Sequence, residues 1–241
     1  ILIIHTETAT GITNDLPAIR SAIDSADHPG LLIVDTVAAA GTVDYRMDEW
    51  GIDVTVGASQ KGLMMPPGIG IVAAGEKALS ATKESTMPRL YWDWKTRLEA
   101  EHYRKFCGTA PQLMVFGMRE ALNMLFEEGL ENVFERHRVL AAATHAAVEV
   151  WGQAGTLSLN AVEPKERSNG VTTILTSDGI DAGQFRDICR DEMMVGLGGG
   201  LGDLSGKAFR IGHMGDINAP MLYAALSAVE STLGYLNIIK F

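Results

Sequence analysis

The sequence predicts an α/β protein: a mostly parallel sheet flanked by helices, followed by a smaller C-terminal α+β unit. Three observations carry this expectation. Strand and helix patterns alternate over the first ninety residues. Leu31-Leu32-Ile33-Val34 is a near-continuous apolar run, the pattern of a parallel strand covered on both faces. At Pro111 the character changes, and two long helical patterns follow one another.

Taken in order, residues 1–5 read as a buried strand and residues 15–27 as an amphipathic helix with Leu16, Ile19 and Ile23 on one face. His28-Pro29-Gly30 turns the chain into the strand at 31–34. A short strand at 52–56 follows and, after Pro66-Pro67-Gly68, another at 70–74. In such a β-α-β series the ligand is expected at the carboxyl ends of the strands. Residues 80–110 are more polar, contain Tyr91-Trp92-Asp93-Trp94, and are expected to cross between units. Helices at 111–127 and 130–153 then meet at Gly129. Strand 171–176, helix 182–192, strands 194–197 and 209–211 and helix 220–233 complete the second unit. The last helix spaces Met221, Leu222, Leu226, Val229 and Leu233 for core packing. The expected division is residues 1–110 and 111–241.

Bulk properties narrow the function. The 241 residues are 46% apolar and 21% charged, the balance of an ordinary globular protein with a sizeable core. No apolar run approaches the ~20 residues a membrane-spanning helix needs. A net charge of −10 argues against nucleic-acid or anionic-membrane partners, which demand clustered Lys and Arg. The two cysteines, Cys107 and Cys189, are too few for a disulfide framework and lack metal-ligand spacing, so a reducing cytoplasm and no metal are expected. Ile1 opens directly on a strand-like run, from which further sequence upstream is expected.

Two residues suggest chemistry. Asp35 follows the apolar run directly, so its carboxylate is placed at a strand's carboxyl end, although an Asp there also serves as a cap. Lys61 follows the short strand and the turn Gly57-Ala58-Ser59, reaching the same edge, although a lone lysine after a turn is usually solvated. Together they suit the two ends of a pyridine ring that bears an aldehyde: an acid for the nitrogen and an amine for the carbonyl.

The segments Asp35-Thr36-Val37-Ala38 and Gly57-Ala58-Ser59-Gln60-Lys61-Gly62, with Pro66-Pro67-Gly68 beyond, resemble the class V group of fold-type I aminotransferases, nearest to serine–glyoxylate and alanine–glyoxylate enzymes. His5-Thr6-Glu7-Thr8-Ala9-Thr10-Gly11 resembles that group's segment beside the cofactor, and Phe209-Arg210-Ile211-Gly212-His213-Met214-Gly215 its substrate-carboxylate motif. The resemblance implies pyridoxal 5′-phosphate, held as a Schiff base by Lys61, with Asp35 on the pyridine nitrogen and Val37 on a ring face. It places Thr8 near the phenolic oxygen or phosphate and Gln60 by the phosphate. Arg210 would grip the α-carboxylate, which its planar fork suits. Thr109 matches a position reaching the phosphate from a neighbouring subunit, which implies a homodimer with shared sites. The implied reaction is transamination between serine or alanine and a 2-oxo acid such as glyoxylate. The ring-stacking residue and the glycine-rich phosphate turn of the family would lie before residue 1.

The same residues leave open a lyase, a transaminase for another amine such as aspartate, and a non-catalytic fragment of the fold. A cysteine desulfurase is disfavoured: Gln60 stands where those relatives carry His, and neither cysteine is placed as a reactive thiol. Gly196-Leu197-Gly198-Gly199-Gly200-Leu201-Gly202 offers no register of the dinucleotide fingerprint, and a flexible loop closing near Arg210 is expected instead. His137 and His145 are expected at the surface of their helix, and His213 either lines the pocket or is structural. No second cation stands out near Arg210, which favours small neutral amino donors.

Overall fold

The computed structural model describes residues 1–239, the His102 side chain excepted. The first half is built on a four-stranded sheet. Strand β1 (Leu2–Ile4) is followed by a small antiparallel hairpin, β2 (Thr6–Glu7) and β3 (Ile12–Thr13), and by helix α1 (Leu16–Ser25). Strands β4 (Ile33–Asp35), β5 (Val54–Ala58) and β6 (Gly70–Ala74) complete the sheet in the order β1-β4-β5-β6. The pairs β1–β4 and β4–β5 are parallel and β5–β6 antiparallel, so the sheet is mostly parallel as expected.

One face of this sheet makes a core. Leu16 and Ile23 of α1 pack on Leu32, Val34 and Ile52, with Tyr45, Met47 and Trp50 around them. Asp15 starts α1 by accepting the Ala18 N–H, which satisfies a donor the first turn leaves unpaired. On the opposite face the alternate residues are open: Leu2 is 78% and Val72 54% exposed. Buried Asp53 pins the sheet from the loop side, its Oδ2 accepting the Leu32 N–H at 2.8 Å.

Short helices α2 (Glu76–Ala81), α3 (Trp94–Arg97) and α4 (His102–Lys105) lead to the long pair α5 (Gln112–Glu128) and α6 (Leu130–Gly152). The second sheet follows. Strands β7 (Leu157–Leu159) and β8 (Val171–Thr176), helix α7 (Ala182–Glu192), strands β9 (Gly198–Gly199) and β10 (Ala208–Gly212) and helix α8 (Ala219–Tyr235) form an antiparallel sheet, β7-β8-β10-β9, backed by helices. Its core centres on Phe185 of α7 stacked on Phe209 of β10, with ring centroids 4.7 Å apart.

The strand expected at 194–197 is not formed. Met194 adopts a left-handed φ of 58° just after α7, and Val195 N–H closes back on Cys189 O, so the apolar residues there end a helix. The strand is the pair of glycines after them. Truncating Phe209 to Ala is expected to cost about 3–5 kcal/mol of stability, read from urea unfolding, because the ring is buried and stacked.

Candidate active site

The parallel register sets the site. Ile4, Asp35 and Val56 occupy one rung across β1, β4 and β5. Strand alternation turns Asp35 to the face opposite Val34, away from the packed core. The rung is fastened on both sides: His5 N–H donates to Asp35 O at 2.8 Å, while Thr36 N–H and Oγ1 both donate to Val56 O. Val37 N–H donates to Asp35 Oδ1 at 2.8 Å. That fixes the carboxylate and leaves Oδ2 without a partner among the described residues.

Lys61 stands three residues beyond β5 in a tightly closed loop. Ser59, fully buried, donates from Oγ to Pro66 O at 2.7 Å and accepts the Ile69 N–H. Its backbone is tied to Ile69 O and Met65 N–H. Met64 N–H donates to Lys61 O, closing the turn behind the lysine. A Cβ at Gly62 would lie 2.2 Å from Ala40 O, so only glycine permits the approach of the Lys61 turn to the loop that follows Asp35. Lys61 is half-buried, and its amine makes no hydrogen bond or ion pair among the described residues. Gln60 beside it is exposed, and Val37 is half-buried.

Arg210, on β10, reaches this edge from the second unit. Its Nε donates to Gly199 O at 2.7 Å and Nη1 to Thr8 O at 2.8 Å. Of five guanidinium donors, three stay available, enough for a carboxylate. Burial lowers its pKa, and the nearby Arg186 charge acts in the same direction against that of Glu7. Thr8 belongs to a run in which every carbonyl is held by the second unit. Thr8 O takes Arg210, Ala9 O the Thr173 hydroxyl, Thr10 O the Asn160 amide and Gly11 O the Ser168 N–H. Glu7 shapes this run by accepting the Ala9 and Thr10 N–H groups at 3.0 and 2.7 Å. Burial would raise the Glu7 carboxyl, but these bonds and the Arg210 charge outweigh it and hold the group below its ordinary value.

Thr109 is separate. It is exposed and lines a cavity of 510 Å³ with Gly70, Val72, Tyr91, Trp92 and Lys105, which includes none of Lys61, Asp35 and Arg210. Three other expectations are corrected. Gly198 and Gly199 are paired with Arg210 and Phe209 as an edge strand, where a flexible loop was expected. His137 is fully buried and His145 half-buried, because α6 is covered by α5 and α8 and both helix faces carry core residues. Arg186 does stand near Arg210, on α7, with its Nε held by Leu197 O.

Two buried histidines follow strands that lead to the site. His5 follows β1, packs against Tyr45 and Trp50 and has no partner for Nδ1 among the described residues. His213, following β10, bridges Thr172 Oγ1 and Asn169 O at 2.8 and 2.9 Å, so of its two expected roles the structural one is found. Serine 59, Glu7 and His5 carried no signal in the sequence beyond their place beside a motif. Among the described residues no cluster of His, Cys, Asp and Glu could hold a metal, and no helix is long and apolar enough to cross a membrane.

Comparison with known proteins defines the class to which this site belongs. The family model "Aminotransferase class-V" matches residues 1–201, and the chain belongs to that family. It is 41% identical over 238 residues to a serine–glyoxylate aminotransferase of Methylorubrum extorquens, covering 97% of this chain and 58% of that protein. It is 38% identical over 238 residues to an L-aspartate–glyoxylate aminotransferase of Paracoccus denitrificans, covering 99% of this chain and 59% of that one. The crystal structure of an alanine–glyoxylate aminotransferase from Nostoc superposes with a TM-score of 0.87 at 30% identity, over 96% of this chain and 61% of that one. The chain thus spans about three fifths of the length of the relatives it matches.

The histidines give a pH dependence. Burial lowers His5 and His145 from 6.5 to about 4 and His213 to about 3. The folded state keeps these rings neutral where the unfolded chain protonates them, so stability is full above 6.5 and falls as pH drops toward 4. Unfolding near pH 5 is expected to take up about three protons. Denaturation midpoints measured between pH 7 and 4.5 report this as a steady decline; a flat profile contradicts it.

Proposed function

We propose that the protein carries pyridoxal 5′-phosphate on Lys61 and transfers an amino group between a small L-amino acid, serine or alanine, and a 2-oxo acid such as glyoxylate. The observation that carries this reading is the placement of Asp35 at the carboxyl end of one parallel strand and of Lys61 beyond the end of its neighbour, on the edge that Arg210 also reaches. The donor set fits the cofactor: a carboxylate with one oxygen fixed and one available, and a half-buried amine without a partner among the described residues. The relatives named for glyoxylate transamination support the same choice.

When bound, pyridoxal phosphate supplies an aldehyde that takes the amino group and a ring that accepts electrons from Cα. The available oxygen of Asp35 accepts the pyridine N–H and keeps that nitrogen protonated. Lys61 Nζ removes the α-proton of the donor and, in the return direction, gives a proton to Cα of the incoming 2-oxo acid. Arg210 holds the α-carboxylate with its remaining donors, so that the Cα–H bond is oriented for Lys61. Val37 packs on the ring, Thr8 and Gln60 serve the phenolic oxygen and phosphate, and Thr109 serves the phosphate of a neighbouring subunit in a homodimer. Exposed Leu113, Phe116 and Phe126 on α5 support a further protein surface against that helix. We assign residues 1–110 to the cofactor-binding unit and its crossing, and 111–241 to the small domain, a division supported by the two separate cores. A reducing cytoplasm accords with two free cysteines.

Aspartate is the second candidate donor. Arg186 adds positive charge close to Arg210, and the Paracoccus relative is named for that substrate.

The full-length protein with pyridoxal phosphate is expected to show the visible absorption of a bound cofactor and to form glycine from glyoxylate. Lys61→Ala is expected to lose the band and at least ~100-fold in rate. Retention of both in the variant overturns the assignment. Pyruvate and ammonia from serine, without glycine, would mark a lyase instead.

A further inference from the structure

The strand that delivers Arg210 also bears on Lys61. After β10 the chain turns through His213-Met214-Gly215, and Gly215 has a φ of +88° that favours glycine. A Cβ placed there would stand 3.7 Å from Lys61 O and 3.6 Å from Met64 Cγ, so the Gly215 backbone lies beside the Lys61 turn with room for little more than a methyl group between them.

Gly215 is buried, and adjacent residues of α6 hold both sides of it. His137 Nε2 accepts its N–H at 3.0 Å. Arg136 Nη1 donates to its carbonyl at 2.8 Å and to Ile217 O at 3.1 Å. Both side chains are themselves fixed. His137 Nδ1 lies 2.7 Å from Val133 O, one turn back in the helix, and since a carbonyl only accepts, the proton is on Nδ1 and Nε2 is left as the acceptor Gly215 needs. Arg136 is forked onto Glu128 at 2.6 and 2.8 Å. Burial, followed by the Arg136 charge, favours the neutral imidazole against the Val133 bond and Glu128.

We propose that His137 and Arg136 are positioning residues for Lys61: by clamping the Gly215 peptide they set the depth at which the Lys61 turn sits relative to Asp35. This rests on the reading of Lys61 given above. The linkage is separate from Arg210, whose guanidinium is held by Thr8 and Gly199.

The test uses two variants of the full-length protein loaded with pyridoxal phosphate. His137→Leu keeps similar bulk and removes the acceptor, whereas His137→Gln offers Oε1 to the same N–H. Amide hydrogen exchange at Gly215 and steady-state kinetics are both measured. In His137→Leu, Gly215 exchange is expected to rise by roughly tenfold or more and kcat to fall by about 10- to 100-fold, with KM for the amino donor within about twofold. His137→Gln is expected to restore both readouts. Unchanged Gly215 exchange in His137→Leu overturns the clamp even if Lys61 is catalytic. Raised exchange with unchanged kcat overturns the coupling to Lys61, and a loss appearing in KM alone assigns the effect to the carboxylate site and overturns the proposal. Failure of the Lys61 reading itself is seen apart from these, in Lys61→Ala.

Discussion

The arrangement of this protein depends on one rung of backbone hydrogen bonding, the level at which Ile4, Asp35 and Val56 stand side by side in three parallel strands. Parallel pairing fixes the order of strand ends as well as of side chains. Once Asp35 ends β4, the loop after β5 must emerge beside it, and that loop carries Lys61. A slip of one residue in β4 would turn Asp35 into the packed face beneath Val34 and bring an apolar side chain to the edge. The chain guards against this with Thr36, whose N–H and hydroxyl both bind Val56 O, and with His5 N–H on Asp35 O.

A second sheet then has to meet that edge, and it does so through main-chain carbonyls. Four successive ones, from Thr8 to Gly11, each accept a donor from the C-terminal unit. Arg210 is one of these donors, so the residue proposed to grip a substrate carboxylate is also a fastener between the two units. Gly215, a few residues on, lies beside the Lys61 turn. Strand β10 and its exit therefore border the site twice, through Arg210 on Thr8 O and through Gly215 beside the Lys61 turn.

Long elements were legible in the sequence because periodicity reports burial over many residues. The helix expected at 111–127 is Gln112–Glu128, and the strand at 171–176 is found at Val171–Thr176. The β4 strand lies two residues later than expected at its start, since Leu31 and Leu32 are apolar but bond to Ile1 and Asp53 outside the ladder. Two-residue strands gave no pattern to read, which is why β2, β3 and β9 went unseen. His137 and His145 depart from expectation for a different cause: a polar ring is ordinarily read as exposed, but His137 is buried with a partner for each ring nitrogen, and His145 is half-buried on the same helix. Asp35, Lys61 and Arg210 stood out through their order along the chain, and their support, Ser59 and Glu7 above all, emerged only from the fold.

The central claim is that the strand-end lysine is the amine that takes the cofactor. Borohydride reduction of the full-length protein loaded with pyridoxal phosphate, followed by proteolysis and mass spectrometry, identifies the lysine that carries the pyridoxyl group. The account predicts a single label, on Lys61. A label on Lys77 or Lys83 with Lys61 unmodified, or no label in a protein that still transaminates, would contradict it.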